Sequence, residues 1–355
     1  MGEQRRSRDQ SCHIHHTRLI ILCLKNKQIQ LTGTGGIELL VLVESPMPEP
    51  KSGEVRIKIS AAGISLAEVL MRTGHSAILP RLPFVPGYDV VGTVDKVGSG
   101  VPKDWIGKRV AALIRIGGYA QYVNVRTDLL VPVPAKVKDA EAVALVLNYL
   151  TAYEMLFRYA QIKKRDRILV HGAGGGVGTA LLDLAKLFDL RVYAVASSSK
   201  HKNLRGENVF PVDPKKHNLA DKIAEHDPKG VDAFFDFQGG ENFKNSLRLL
   251  KKGGTAVQYD MTDEKGNLVL AYLKTIARFA LINILKGRKA VFFAMNAFVK
   301  SKRSWYREDL AYLLELLETK KIRPLIGKKV PLDKVPKAHA LLEKRKVLGK
   351  IVIVP

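Results

Sequence analysis

The residues best placed to do chemistry are a cluster of glycines, Gly172, Gly174, Gly175, Gly176 and Gly178, with Ala173 and Val177 between them, in the run RILVHGAGGGVGTALLDLAKLFDLRVYAVASSSK from Arg167 to Lys200. Glycines in that density let a backbone turn tightly and approach a pyrophosphate at a helix N-terminus, where orphan N–H groups and the helix dipole favour negative charge. The strict G-x-G-x-x-G spacing is not met, because Val177 falls at the third glycine when the count starts at Gly172. The context compensates. An apolar strand from Ile168 to Val170 precedes the turn, an amphipathic helix comes after it, and a second apolar strand, Val192 to Ala196, completes a βαβ unit that predicts a dinucleotide ligand.

The residues beyond that second strand bear on which dinucleotide. A chain that holds an unphosphorylated ribose usually places Asp or Glu there, about 20 residues past the glycines, to accept from the 2′-hydroxyl. Here Ser197, Ser198, Ser199, Lys200, His201 and Lys202 stand instead. Hydroxyls and cations suit a 2′-phosphate, which a carboxylate would repel, so the expected cofactor is NADPH.

A chain of 355 residues exceeds what one core usually holds, and two domains are expected. With 46% hydrophobic and 26% charged residues, it has the composition of a soluble globular enzyme. Both cysteines, Cys12 and Cys23, lie in the first 24 residues, which excludes a disulfide framework and a four-cysteine zinc lobe and fits a reducing, cytoplasmic compartment. Residues 1–24, with Arg5, Arg6 and Arg8, the CHIHH run and a short apolar stretch from Leu19 to Leu24, match no clean targeting signal and are expected to be a disordered extension.

The net charge of +24 would draw the chain toward anionic surfaces. The excess sharpens between Lys265 and Arg307, where Lys274, Arg278, Lys286, Arg288, Lys289, Lys300, Lys302 and Arg303 alternate with the apolar runs Leu268 to Leu285 and Ala290 to Val299, and no acidic residue intervenes. Such a segment is either a pocket wall or oligomer contact with a solvated face, or a basic amphipathic surface that rests on an anionic membrane. Nucleic acid is a poor fit, since no aromatic platform or recognition motif accompanies the charge.

These chemical groups need elements to position them. Before the βαβ unit the chain is β-rich: Ile37 to Val43, Val55 to Ile59 and Val90 to Val97 read as strands, punctuated by Pro46, Pro48, Pro50, Gly98 and Gly100. Asp139 to Arg158 reads helical. After the glycine turn come a strand at Val231 to Phe237, a helix at Glu241 to Leu250 and a strand at Thr255 to Tyr259, the alternation of a doubly wound parallel sheet. A helix from Glu308 to Glu318 and a strand from Gly349 to Val354 close the chain.

Taken in order, AAGIS at 61–65, PFVPGYDVVGTV at 83–94, LNYLTAYEML at 147–156, HGAGGGVG at 171–178, KKGG at 251–254, KIRPLIG at 321–327 and GKIVIV at 349–354 resemble the medium-chain dehydrogenase/reductase superfamily. Within it they are most similar to the zinc-free quinone oxidoreductase branch, which includes the vesicle amine transport protein group. The resemblance covers about Lys27 to Pro355. It implies an α/β fold in which a GroES-like β-rich domain, residues 25–148 and 301–355, flanks a Rossmann NADP-binding domain at 149–300. It also implies a homodimer and a small-molecule quinone or enone substrate.

Zinc members of the superfamily polarise a carbonyl or alcohol with a metal held by Cys, His and a further ligand. By motif position Ser65 replaces that cysteine and Tyr88 that histidine, leaving only Asp89, while Val110 to Val123 runs where a structural zinc lobe would be inserted. No metal is expected. The accessible chemistry is then hydride transfer to an electron-poor quinone or α,β-unsaturated carbonyl, with the protein supplying orientation and a donor for the developing oxyanion. Ser65, where many quinone reductases carry Asn, and the phenols Tyr88 and Tyr119 are the candidate donors. Leu70 stands near where some members carry a tyrosine. The resemblance further assigns Asn148 and Thr151 to the nicotinamide, Ser197 and Lys200 to the 2′-phosphate, and Lys350 to the cofactor phosphates. The tyrosine that often assists the 2′-phosphate falls at Pro214.

Overall fold

The computed structural model describes residues 25–76, 79–204, 206–259, 268–284 and 287–355, with backbone alone for 268–272. The N-terminal extension with both cysteines, Lys265, Leu285 and Lys286 lie outside the described residues.

Two large sheets organise the chain. The first has six strands, all parallel, in the spatial order Val209–Val212, Arg191–Val195, Arg167–His171, Val231–Asp236, Leu250–Gln258 and Lys289–Phe292. Numbered along the chain within this sheet, that order is 3-2-1-4-5-6, the doubly wound arrangement whose switch point lies between the first and fourth strands. The C-terminal ends there are His171 and Asp236, and the glycine turn leaves directly from one of them. Alternation along the strands separates the faces: Ile168 and Val170 join the main core, while Leu169 packs with Tyr193, Phe234 and Phe243 in a second one.

The second sheet has seven strands and draws on both ends of the chain. Glu54–Ile64 pairs antiparallel with Asp89–Val97, with Tyr122–Arg126 and with the final strand Lys350–Val354, which in turn carries Ile326–Pro331 in parallel. Asp89–Val97 continues through Arg109–Leu113 to Val131–Pro132. A separate hairpin joins Lys25–Leu31 to Leu40–Pro46. The long helical stretch Asp139–Tyr159 passes between the sheets. By length and composition it could cross a membrane, yet 78% of its apolar window is buried inside the protein, as in a core helix. Two π-helical widenings, at Leu145–Tyr149 and Glu154–Tyr159, interrupt it.

Three elements begin elsewhere than expected. The strand read at Ile37 to Val43 starts at Leu40, because the TGTGG run closes through a 3₁₀ turn, Ile37–Leu39, in which Thr32 N–H donates to Leu39 O at 3.0 Å. The strand read from Thr255 starts at Leu250, carrying KKGG inside it with Gly253 at φ 83°. The helix read from Glu308 starts at Arg303, anchored by Tyr306, whose hydroxyl donates to Leu129 O at 2.8 Å and accepts from Leu113 N–H at 3.0 Å. Its cationic first turn hides that anchor in the sequence.

Candidate active site

The glycine turn is built by absence. Gly172 takes φ 65°, a left-handed conformation, directly after the strand Arg167–His171, and its bare Cα faces the Phe237 ring. Ala173 N–H ties the turn to Val195 O at 3.1 Å. The helix Gly176–Leu187 then starts from Gly175 with no side-chain cap, so its first N–H groups face outward without an internal acceptor. A Cβ on Gly176 would run into Asn148 Nδ2, one on Gly174 into Lys200 Cδ, and one on Gly178 into the carbonyl of Gly172. Val177 packs against the core from the same turn. An uncapped helix N-terminus and a cradle that side chains would fill fit a dinucleotide pyrophosphate.

Lys200, beyond the second strand, lies against Gly174 and donates to Val347 O at 2.9 Å. Burial first, and the Arg345 charge second, hold its pKa below the usual lysine value. A site that already strains an ammonium gains when an anion arrives. Among the described residues the Ser197 hydroxyl is bonded to Ser199 alone, at 3.1 Å, and can reorient toward a ligand. One carboxylate escaped the sequence reading. Asp213, after the third strand, accepts from Ser198 N–H at 2.7 Å, Ser198 Oγ–H at 2.6 Å and Lys215 N–H at 3.1 Å, and these donors lower its pKa to about 2. It fixes the serine loop with its own lone pairs occupied.

Asn148 and Thr151 are both buried in the helix between the sheets, and Asn148 Nδ2 lies against Gly176 of the glycine turn. Lys350 follows Gly349, whose N–H donates to Gly174 O of the glycine turn at 3.1 Å, and its ammonium turns inward. It belongs to an interior strand, is 2% exposed, and its Nζ lies 2.6 Å from Asp89 Oδ2 and 3.3 Å from Asn148 Oδ1. Gly63 makes room for it, since a Cβ there would strike both Lys350 Cε and the Asp89 carboxylate. Its charge serves the interior.

Ser65 caps the helix Leu66–Thr73. Its side chain accepts from the Glu68 backbone N–H while Glu68 Oε2 accepts from Ser65 N–H at 2.8 Å, a reciprocal capping box, and the Ser65 hydroxyl also bonds to Glu68 Oε2. Glu68 is fully buried and also accepts from Tyr88 N–H at 3.1 Å. The Tyr88 hydroxyl accepts from Asn296 Nδ2 at 3.2 Å, a residue on the helix Met295–Ser301 that comes from the basic segment. Tyr119 is not available as a donor. It is wholly buried, with its hydroxyl 3.0 Å from His339 Nε2 and its ring edge-on to the imidazole, and burial pushes that histidine's pKa down to about 3. Both groups belong to the core. Among the described residues, no group of three or more His, Cys, Asp or Glu is arranged to hold a metal.

Sequence reasoning therefore missed Glu68, Asn296 and Asp213. Only Glu68 carried a local signal, the S-x-x-E spacing from Ser65. The others reach the site through the fold.

A β-rich sheet made from both chain ends, a doubly wound parallel sheet, and an uncapped glycine turn between them define a two-domain nucleotide-dependent oxidoreductase. Comparison with known proteins agrees. Residues 51–135 match the alcohol dehydrogenase GroES-like domain and residues 212–353 the zinc-binding dehydrogenase model. The synaptic vesicle membrane protein VAT-1 homolog of Rattus norvegicus is 32% identical over 335 residues, covering 92% of this chain and 83% of the relative. Quinone oxidoreductase of the same organism is 30% identical over 336 residues, covering 92% and 97%. Among solved structures, the human synaptic vesicle membrane protein VAT-1 homolog-like protein superposes with TM-score 0.79 at 27% identity, over 93% of this chain and 98% of that one. Mycobacterial Rv1454c complexed with NADPH gives 0.78 at 28% identity, over 93% and 100%. The chain belongs to the medium-chain dehydrogenase/reductase superfamily, in its quinone oxidoreductase branch. It is an oxidoreductase that uses a nicotinamide cofactor and a small-molecule substrate.

Proposed function

We propose that the protein is a zinc-independent, NADPH-dependent reductase of quinones or α,β-unsaturated carbonyls. The observation that carries the reading is Lys200, a half-buried ammonium with a lowered pKa, set against Gly174 of the uncapped turn and beside the hydroxyls after the second strand. Bound there, the cofactor would supply the hydride. The chain would hold the pyrophosphate on the first N–H groups of Gly176–Leu187, the 2′-phosphate on Lys200 and Ser197, and the nicotinamide near Asn148 and Thr151. Zinc independence is supported by Ser65 and Tyr88, which stand where zinc members carry ligands and are here engaged by Glu68 and Asn296. The test is titration with NADPH and with NADH by cofactor fluorescence, followed by addition of a quinone and an aliphatic enone. Tight NADPH binding with turnover is expected; binding of neither cofactor would overturn the reading.

A second reading is favoured by one surface. On the helix Leu268–Ile284, Leu273, Ile276, Leu281 and Ile284 are exposed beside Lys274. A nucleotide-binding protein with little turnover could lay this face on anionic lipid. Salt-sensitive binding to phosphatidylserine vesicles, lost on neutralising Arg288 and Lys289, would support it. We further infer a cytoplasmic homodimer from the motif resemblance alone; sedimentation would test the dimer and cell fractionation the compartment.

A further inference from the structure

Two carboxylates and one ammonium are shut inside the protein behind Ser65. Glu68 and Asp89 have no exposed surface, and Lys350, at 2%, contacts Asp89 directly. Asp89 therefore has a counter-ion at 2.6 Å, while among the described residues Glu68 has only neutral donors: Ser65 N–H, Ser65 Oγ–H and Tyr88 N–H. The other charged or titratable groups near Glu68 do not supply the missing charge. Arg72, one turn along the same helix, is ion-paired with Glu343 at 2.7 Å; His339, on the helix Val335–Glu343 packed against it, stays neutral; and Tyr119 keeps its proton because burial raises its pKa. A buried cluster with one negative charge too many binds a proton.

We propose that Ser65 donates a proton to the reduced acceptor's oxygen and that Glu68, hydrogen-bonded behind it, stores and replaces that proton. The proposal rests on the reductase reading. Of the atoms in the cluster, Ser65 Oγ is the one on a partly exposed residue, so a proton held on Glu68 has its short route outward through it. Burial first, and the neighbouring Asp89 charge second, push Glu68 up to about 7, which lets it hold that proton near neutral pH.

When bound, the reduced nicotinamide supplies a hydride to the acceptor carbon, forming a C–H bond while the acceptor's π pair moves to its oxygen. The Ser65 O–H bond then breaks as an O–H bond forms on the acceptor oxygen. While Glu68 is protonated its Oε2–H donates to Ser65 Oγ and the serine proton points to the acceptor. As that proton leaves, the Oε2 proton passes to Ser65 Oγ, and the carboxylate then accepts from Ser65 Oγ–H and N–H, with Lys350 nearby across Asp89. After product leaves, water returns the proton to Glu68 through Ser65. No further oxidant or reductant is required.

The first experiment needs no cofactor. Infrared spectroscopy of the ¹³C-glutamate-labelled apoprotein should show a protonated carboxyl band that disappears with a midpoint near pH 7 and is missing in Glu68→Gln. With NADPH and an enone, wild-type kcat should fall as pH rises through the same midpoint. Ser65→Ala should lower kcat by about 100-fold, the low end for general acid catalysis, and Ser65→Thr should restore most of it. Glu68→Gln should flatten the pH profile. The proposal is overturned if the wild-type apoprotein shows no such band, if Ser65→Ala keeps its full rate, or if Tyr88→Phe and not Ser65→Ala abolishes the pH dependence. Should wild type bind NADPH but reduce no acceptor, the reductase reading fails and the relay falls with it, whereas a missing band with active turnover sinks the relay alone.

Discussion

In the proposed reading the glycine turn forms a cofactor wall and the Ser65–Glu68 region an acceptor wall, and the two are built on opposite terms. The cofactor wall works by leaving side chains out: Gly172, Gly175 and Gly176 leave backbone partly exposed, and the helix behind them is uncapped. The acceptor wall works by burying charged side chains: Glu68, Asp89 and Lys350 lie within it at 2% exposure or less. A wall of exposed backbone accepts any pyrophosphate of the right shape, because N–H groups carry no identity. A wall of buried charge is fixed by the balance among its members, so it tolerates little change and can hold a proton at a chosen place. The contrast predicts that errors in the acceptor wall will appear first as instability, and errors in the cofactor wall as weakened binding.

The sharpest way to break that contrast is Lys350→Met. It removes the one cation of the cluster, leaving Asp89 buried beside Glu68 without a counter-ion, and should cost about 3–5 kcal/mol of stability. Urea denaturation at pH 7 measures it. A loss below about 1 kcal/mol would mean that the cluster is hydrated and that the acceptor wall is no more constrained than its opposite.

On the cofactor wall, Gly176→Ala puts a methyl group where Asn148 Nδ2 now lies. Overpacking of this kind costs about 1–3 kcal/mol, and here it is expected mainly in binding, as a 10- to 100-fold weaker NADPH affinity with the urea midpoint nearly unchanged. The reverse result, full affinity in a destabilised protein, would erase the distinction between the walls. Lys200→Ala is milder and more selective. Loss of one charge-assisted contact, about 1.5 kcal/mol, should weaken NADPH by roughly 10-fold and leave NADH unaffected, as paired fluorescence titrations would show.

The same contrast explains what could be read from the amino-acid order. The glycine turn, the strands around it and the serines with Lys200 sit within 34 consecutive residues, and each acts through local backbone geometry. They are legible one by one. In the acceptor wall Ser65 lies near Glu68 and Tyr88 next to Asp89 in sequence, but the two pairs, and their partners Lys350 and Asn296, come together only in the fold, Lys350 after the last strand has returned to the second sheet. That return also sets the orientation of Lys350, whose ammonium an interior strand next to Gly63 turns toward Asp89 and Asn148. Nothing in the local pattern distinguishes an inward lysine from an outward one.

The helix that carries Asn148 supplies a control, because it holds another buried acidic pair with no outlet to the cleft. Glu154 is fully buried beside Asp309, and Arg158 is committed to Asp309 through Nη2 at 2.8 Å and Nε at 3.2 Å while stacking over Trp305. Burial, and then the Asp309 carboxylate alongside, push Glu154 up to about 9. The folded chain thus keeps a proton that the unfolded chain releases near 4.5. Between those limits the folded state binds more protons than the unfolded one, so this group's contribution is full below the lower value and fades as pH rises through the higher. The slope is at most about 1.4 kcal/mol per pH unit. Glu154→Gln should remove it, leaving a variant close to wild type at pH 4 and more stable at pH 8, with kcat against pH unchanged in shape. Glu68→Gln should alter that shape. If both substitutions changed the rate profile alike, the proton on Glu68 would owe nothing to its place behind Ser65, and burial alone would account for both acids.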